Sequence, residues 1–435
     1  MAGTSASMLL VDAGAAAAAE EGEEGDFEGT ATAVGAPLAP VRLYCDAASA
    51  AAVAAVAELA PPGHQAAAPT SALSKLMDWW VSGAMEGNGK EKGPVAPVVV
   101  SAADWLTARL GRVGPKKKGG SPAAARACPP SSGDGQFLRS RLLVTDDNNQ
   151  LKAGWDPGAR AYEPWLRGHP AAARLAPRVL RPGDATGCVV VAAAAAAGGS
   201  SEATTYLPAG CLLAGGTTDS IAATLAAGVR STPGDAVTSL GSSLAVKLVS
   251  RARIDDGRRG VYSHLVPGDN AGDEPVWLVG GSSNAGCAVF RSEFGPDDSS
   301  LERLTAELER EEEERGGATS TGLGYYPLPR KGERFPVCDP EKQPVLGPRP
   351  SSDAIHLRAI LEGITEIERA GFAALEELGA PRPVRVLTAG GGAKNAVWTR
   401  MRSRALSPAV VTAAEEGEAA YGAALLARRA VTGKW

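Results

Sequence analysis

Long hydrophobic runs are missing from this chain. No stretch is long and apolar enough for a membrane-spanning helix, and the most monotonous segment, Ala192–Ala197, is alanine flanked by Gly198 and Gly199. Cysteine is scarce. Cys45, Cys128, Cys188, Cys211, Cys287 and Cys338 form no C-x-x-C pair, which excludes a zinc ribbon. Most of them sit in apolar runs, so buried, reduced thiols in an intracellular compartment are expected. The four histidines, His64, His169, His264 and His356, form no ligand cluster and read as surface or packing residues. A basic surface is also missing. The formal net charge is −5, and the one compact basic run, Gly111–Lys118, lies among glycine and proline as a solvated loop. That excludes a nucleic-acid carrier. The N-terminus lacks basic residues and turns acidic at Glu20–Glu28, so it is neither a secretory signal nor a plastid transit peptide. There is no Walker lysine pattern and no Rossmann G-x-G-x-x-G, which disfavours both of those phosphate-binding folds.

What is there is enough for two or three domains: 435 residues, 44% of them hydrophobic. The chain is organised around Gly210–Ser250. An apolar run, Cys211–Ala214, meets Gly215 and Gly216, then Thr217, Thr218 and Asp219. Ser220–Ala227 has good helix propensity, and Gly228 can end it in the left-handed region. Ala236–Leu240 then leads into a second small turn, Gly241-Ser242-Ser243. Apolar runs that end in Gly/Ser/Thr turns suit phosphate, because backbone N–H groups can approach an anion closely. Asp219 has two readings at this point: a first-turn acid facing the helix dipole, or a general base at the helix mouth.

Around that stretch the expected elements run in order. Met8–Val11 and Val41–Tyr44 form a hairpin whose tip carries a low-complexity insert, Ala15–Thr32. Helices cover Ala47–Leu59 and Thr70–Val81, the latter with Leu73, Leu76, Met77 and Trp80 on one face. A strand, Ala96–Ser101, and a helix, Ala102–Leu110, precede a Gly/Pro/Ser/Lys-rich disordered segment, Gly111–Gln136. Order returns at Phe137–Thr145, followed by a polar turn, Asp146–Asn149. Tyr162–Leu166 and Ala171–Leu175 are helical. Further on, Val246–Val249 and Val276–Gly281 are strands, and Ser282–Phe290 opens a helix. Leu301–Arg315 is a solvated helix, and Tyr325–Val337 is held extended by its prolines. Ala354–Leu378 is a long helix with a buried stripe of Ile360, Ile364, Ile367 and Phe372. The strand Arg385–Thr388 enters Gly390-Gly391-Gly392. A helix, Ala396–Ala405, a strand, Val410–Thr412, and a last helix, Glu416–Val431, complete the chain.

The glycine triplet between a strand and a helix has the context of a nucleotide loop. Asn395 and Trp398 share a face of the following helix, where Asn can hydrogen-bond a nucleotide and Trp can stack on adenine. The alternative is a tight turn and a core tryptophan.

Taken in order, GGTTDSIAATLAAG, PGDAVTSLGSS, VGGSSNAG, TAGGGAKNAVW and EAAYGAALLA resemble the second half of an FGGY carbohydrate kinase. LYCDAAS, TSALSKLMDWW and LLVTDDNNQLKAGWDP narrow the likeness to D-ribulokinase-like members of plants and cyanobacteria, sometimes labelled xylulose kinases. The resemblance covers most of the chain outside the inserts. It implies an α/β fold of two actin/hexokinase-like (ribonuclease H-like) ATPase domains around a cleft. The sugar side would be 1–226 plus 415–435, and the ATP side 227–414. It implies phosphoryl transfer from ATP, with Mg²⁺, to a ketopentose: D-ribulose first, D-xylulose second.

The likeness also assigns residues. Asp219 matches the catalytic aspartate, and Ser5 and Thr218 match substrate-side positions. Gly241, Ser242 and Ser243 match the turn near the γ-phosphate. Gly390, Gly391, Gly392, Asn395 and Trp398 match the adenosine pocket. No metal ligand is assignable. In the family a strand and an aspartate precede the Gly-Thr-Ser loop; here only Met1 and Ala2 precede Gly3. Asp46-Ala47-Ala48 stands where the family has D-A-R. The expectation is a first domain truncated at its N-terminus, and a non-catalytic binding remnant is the rival reading. Any chloroplast transit peptide would lie upstream; without one the compartment is the cytoplasm. Partners are the sugar and ATP, with no nucleic acid and no membrane. The oligomeric state is left open.

Overall fold

The computed structural model describes residues 2–3, 7–12, 37–85, 97–101, 104, 144–176, 178–188, 212–270, 272–296, 298–317, 319–407, 409–412 and 418–435. The insert Ala15–Thr32, the segment Gly111–Gln136, the position Ser5 and all of the expected helix Ala102–Leu110 except Asp104 lie outside them. The chain divides into two units: Met1–Ala222 with Ala423–Trp435, and Ala223–Gly422. Among the described residues no helix is long and apolar enough to cross a membrane.

The first unit is built from short pieces. They are β1 (Ala2–Gly3), β2 (Met8–Asp12), α1 (Ala50–Leu59), α2 (Ala72–Val81), β3 (Pro97–Ser101), β4 (Val144–Asp146) and α3 (Asp147–Gln150). After these come β5 (Trp155–Asp156), β6 (Ala161–Tyr162), α4 (Pro164–Arg167), β7 (Arg178–Leu180), β8 (Ala185–Cys188), β9 (Leu212–Ala214) and β10 (Thr217–Thr218). α5 (Asp219–Ala226) begins in this unit and carries the chain into the next. Among the described strands, pairing goes two by two: β1 with β10 and β4 with β7 in parallel, and β2 with β3 antiparallel.

The expected second hairpin strand, Val41–Tyr44, shrinks to two bridges, Met8 to Arg42 and Val11 to Pro37. Pro37 and Pro40 have no N–H to give a ladder, so pairing is interrupted there. Serines start both helices. Ser49 caps α1, and Ser71 caps α2 by accepting the Ser74 N–H at 2.9 Å. The α2 stripe then drives Leu73, Leu76 and Met77 into a core with Met8, Leu10, Val56 and Val99.

The polar stretch expected as a turn is a correction. Asp146 ends β4, and Asp147–Gln150 form a helical turn that is at most 1% exposed. Their backbone is partly satisfied within the turn: the Asp146 carboxylate accepts the N–H groups of Asn148 and Asn149.

The second unit holds one six-stranded sheet. Its elements are β11 (Asp235–Leu240), β12 (Leu244–Ser250), β13 (Tyr262–Val266), β14 (Val276–Ser283), α6 (Ala288–Phe294) and α7 (Asp298–Glu314). They continue through α8 (Asp353–Glu377), β15 (Arg385–Ala389), α9 (Ala396–Leu406) and β16 (Ala409–Thr412). α10 (Ala419–Thr432) then leads back to the first unit. The strand order is β13-β14-β12-β11-β15-β16, with β11, β15 and β16 parallel and the rest antiparallel.

β14 runs two residues past the glycines where a helix was expected to open. Ser282 and Ser283 still pair with Ala245 and Leu244, and the helix waits until Ala288. The α8 stripe lands as expected. Ile360, Ile364 and Ile367 pack with Leu240, Leu308 and Trp398, while Phe372 joins Val246, Val279 and Phe335. Burying each such side chain contributes roughly 1.5–3 kcal/mol. α7 is solvated except where Leu304, Leu308 and Glu312 turn inward. The expected burial of cysteine fails where it can be seen: Cys45 and Cys338 are exposed and Cys287 is half-buried. Their short apolar neighbourhoods fall in connecting segments rather than in strands.

Candidate active site

In the first unit the sequence places Thr217 and Thr218 between paired glycines and a helix, and the structure makes them β10. Ala2 pairs with Thr217 and Gly3 with Thr218, so the Gly-Thr-Ser segment starts beside the catalytic candidate. Both threonines are fully buried. Asp219 follows as the first residue of α5, half-buried, and its Oδ1 accepts the Ser220 N–H at 2.8 Å. It sits in the first turn, where the helix dipole favours a carboxylate.

Next to β10 lies the buried polar turn that sequence reasoning missed. Asn148 donates from Nδ2 to the Thr217 Oγ1 at 2.9 Å, and Asn149 donates to the Asp146 Oδ2 at 2.6 Å. The Asp147 Oδ1 accepts the Trp155 indole N–H at 2.7 Å and pairs with Arg160. The Asp147 Oδ2 and the Asn149 Oδ1 are buried with no hydrogen-bond partner among the described residues. Burial pushes the Asp147 carboxyl up to about 6 although Arg160 opposes it. Burial, and then the charge of Asp146, push Asp104 up as well. Two unpartnered acceptors in a buried cluster suit a ligand that brings hydroxyl donors. One signal in the sequence could have found them: five polar residues in a row, 146–150, run straight into Leu151 with no Gly or Pro among them to make a surface loop.

In the second unit, two motifs some 150 residues apart meet. Gly241–Ser243 is the tip of the β11–β12 hairpin, with Ser242 exposed. Its carbonyls are held from the other side, because Cys287 N–H donates to the Gly241 O at 2.8 Å and Ala288 N–H to the Ser242 O at 3.2 Å. Gly390 has φ +85°, and a Cβ there would lie 2.7 Å from the Leu240 carbonyl oxygen. A Cβ on Gly392 would lie 2.7 Å from both the Leu240 Cβ and the Trp398 ring. The triplet is therefore pressed against the start of the hairpin tip, and Gly391 faces open space.

Asn395 and Trp398 are placed differently from expectation. Asn395 caps α9, accepting the Trp398 N–H at 2.9 Å and donating to the Thr305 Oγ1 at 3.1 Å. Trp398 is 1% exposed, stands edge-on to Phe290, and gives its indole N–H to the Thr365 Oγ1 at 3.0 Å. No ring face is left for stacking; the tryptophan is the floor under Gly392. Ser5 lies outside the described residues. Among those described, no group of three or more His, Cys, Asp or Glu could hold a metal ion.

Residues 236–431 match the C-terminal domain of the FGGY family of carbohydrate kinases. The chain is 28% identical over 349 residues to a protein named xylulose kinase from Streptomyces rubiginosus, covering 78% of this chain and 63% of that relative. It therefore spans less than two thirds of that relative's length. Among solved structures, it superposes on a xylulose kinase from Bifidobacterium adolescentis with TM-score 0.65 and 20% identity, covering all of this chain and 80% of the other. Glycerol kinase with ADP from Plasmodium falciparum gives TM-score 0.67 at 15% identity, covering 99% of this chain and 74% of the other. These likenesses extend through both units and share the two-domain actin/hexokinase-like fold. Over residues 236–431 the chain is thus similar to the C-terminal domain of the FGGY family of carbohydrate kinases, and over most of its length to a protein named xylulose kinase.

Proposed function

We propose that this chain phosphorylates a ketopentose with ATP. The observation that carries the reading is the setting of Asp219. It starts a helix directly after the buried β10 threonines, beside Gly3 and beside a polar cluster with two unpartnered acceptors. Asp219 takes the proton of the attacking hydroxyl, a contribution of about 10²–10⁴-fold for a general base. The Asp147 Oδ2 and the Asn149 Oδ1 accept other sugar hydroxyls, and Thr218 and Ser5 are assigned to the same side by the family likeness.

In the second unit, Gly241, Ser242 and Ser243 offer N–H and hydroxyl donors to the phosphates. Gly390, Gly391 and Gly392 give adenosine a bare backbone to lie on, and Asn395 and Trp398 hold that backbone in place. Mg²⁺ would come with ATP as part of the substrate and would neutralise charge on its phosphates.

Two sugars fit. The motif set favours D-ribulose and the relatives' names favour D-xylulose; the pair differ only at C3, which a single hydroxyl contact can decide. ADP release measured with each sugar, beside calorimetric binding of each sugar and of ATP, tests the reading. Sugar-dependent ADP release that is lost in Asp219→Ala supports it. Binding without turnover, or no response to either sugar, overturns it.

A further inference from the structure

Beneath the two nucleotide-side loops lies a buried ion pair with no place in the chemistry above. Glu368 on α8 and Arg402 on α9 are both fully buried. Arg402 forks onto Glu368, with Nε to Oε2 and Nη2 to Oε1, each at 2.7 Å. The pair is not isolated. The Thr238 hydroxyl on β11 donates to the Glu368 Oε1, and the Arg402 Nη1 donates to the Thr388 Oγ1 on β15 at 2.7 Å. Thr238 and Thr388 are register partners across the parallel β11–β15 ladder and are at most 1% exposed. Three residues past Thr238 the hairpin tip begins at Gly241, and two residues past Thr388 the triplet begins at Gly390.

The geometry points to Glu368, Arg402, Thr238 and Thr388 as positioning residues that fix the spacing of the hairpin tip and the glycine triplet, and so set nucleotide affinity. A buried pair of charges is weak evidence for stability, since an apolar pair of similar volume often does as well. Its planar fork does specify geometry. Here the fork ties two helices to two adjacent strands at the roots of both loops. Among the other charged groups on these helices, Glu312 with Arg358 and Arg400 form a separate set on α7, α8 and α9. This inference rests on the ATP-side reading of the loops.

The test separates the two. Thr238→Val and Thr388→Val keep shape and lose the hydroxyl; Thr238→Ser and Thr388→Ser restore it. Arg402→Met with Glu368→Met replaces the pair by apolar side chains. Amide exchange at Gly391–Lys394 and Gly241–Ser243 is read without nucleotide, and KM for ATP, KM for sugar and kcat are read on the same proteins. Expected are faster loop exchange and a KM for ATP raised about fivefold to tenfold in each valine variant, the size of one lost hydrogen bond. The sugar KM is expected unchanged and the serine variants like the wild type. The double-methionine protein is expected folded, with the same loosened loops. Loop exchange unchanged in folded valine and methionine variants overturns the positioning role, whether or not ATP binds. Wild-type protein that binds no ATP while the exchange shifts appear overturns the ATP reading alone.

Discussion

At the residue scale, the proposed roles of two carboxylates of the first unit differ. Asp219→Asn keeps the shape and the Ser220 contact but cannot accept a proton. Turnover with the preferred sugar is expected to fall about 10²–10⁴-fold with the ATP affinity unchanged, read by coupled ADP release and calorimetry. A loss of a few fold would leave Asp219 as only a first-turn acid.

Asp147 is buried with one oxygen unpartnered, and its folded pKa is raised to about 6 by burial from an ordinary value of 3.8. A raised carboxyl binds its proton more tightly in the folded state. Its contribution to stability is therefore full below pH 3.8 and is lost as pH rises through about 6. The wild type is expected to gain stability relative to Asp147→Asn on going from pH 7.5 to pH 4.5, in paired urea melts. A difference that does not move with pH would mean that Asp147 titrates like a surface group. Sugar affinity runs the other way, because only the ionised carboxylate offers both oxygens to hydroxyls; KM for the sugar is expected to rise below pH 6 and to lose that rise in the asparagine variant.

At the element scale, the strand–glycine–helix unit from β15 through α9 assigns each glycine a separate physical role. Gly390 occupies the left-handed region at φ +85° with the Leu240 carbonyl close by, and Gly392 is wedged between Leu240 and Trp398. Gly391 faces open space in an ordinary conformation. Alanine at 391 is expected to leave stability and ATP affinity within about 0.5 kcal/mol, the usual size of a surface change. Alanine at 390 is expected to cost roughly 1–3 kcal/mol in backbone strain, and alanine at 392 to displace the loop and weaken ATP. Thermal shift with and without ATP reads all three; equal behaviour of the three would show that the loop is not packed on the hairpin. Trp398 belongs to the same element. Its removal by Trp398→Ala is expected to cost about 3–5 kcal/mol as a core truncation, with a lowered urea midpoint even when no nucleotide is present. An unchanged midpoint would place the ring at the surface.

At the scale of the whole molecule, the units differ in how their backbones are satisfied. In the second, β12 is paired along its length on both sides, by β11 and β14. In the first, the described strands pair only two by two, and β1 and β10 share two residue pairs. Edges open more readily than sheet interiors. Amide exchange is therefore expected to be slowest at Val246 and Leu248 and faster by orders of magnitude along β1, β2 and β10. Equal protection in both sets would mean that the first unit's pairs are stabilised by something beyond their ladders.

Elements whose cause is local were legible along the chain. The period of Leu73, Leu76 and Met77, the stripe of α8, the strand-to-glycine step at Gly390 and the Thr-Thr-Asp helix start all follow from side-chain pattern and turn chemistry. So did the order of the motifs, and with it the family likeness. What depends on partners far along the chain was set by the fold. Polar residues at 146–150 could be a solvated turn or a buried cluster, and Thr217, 69 residues from Asn148, settles which. Asn395 and Trp398 could face a ligand or the core, and Thr305, Thr365 and Phe290 claim them. Glu368 lies on the α8 stripe four residues after Ile364, but nothing local says that Arg402 neutralises it there. The physical reason is common to all three. The burial of a polar group is allowed only by its hydrogen-bond partners, and those partners are brought to it by the fold rather than by neighbouring sequence.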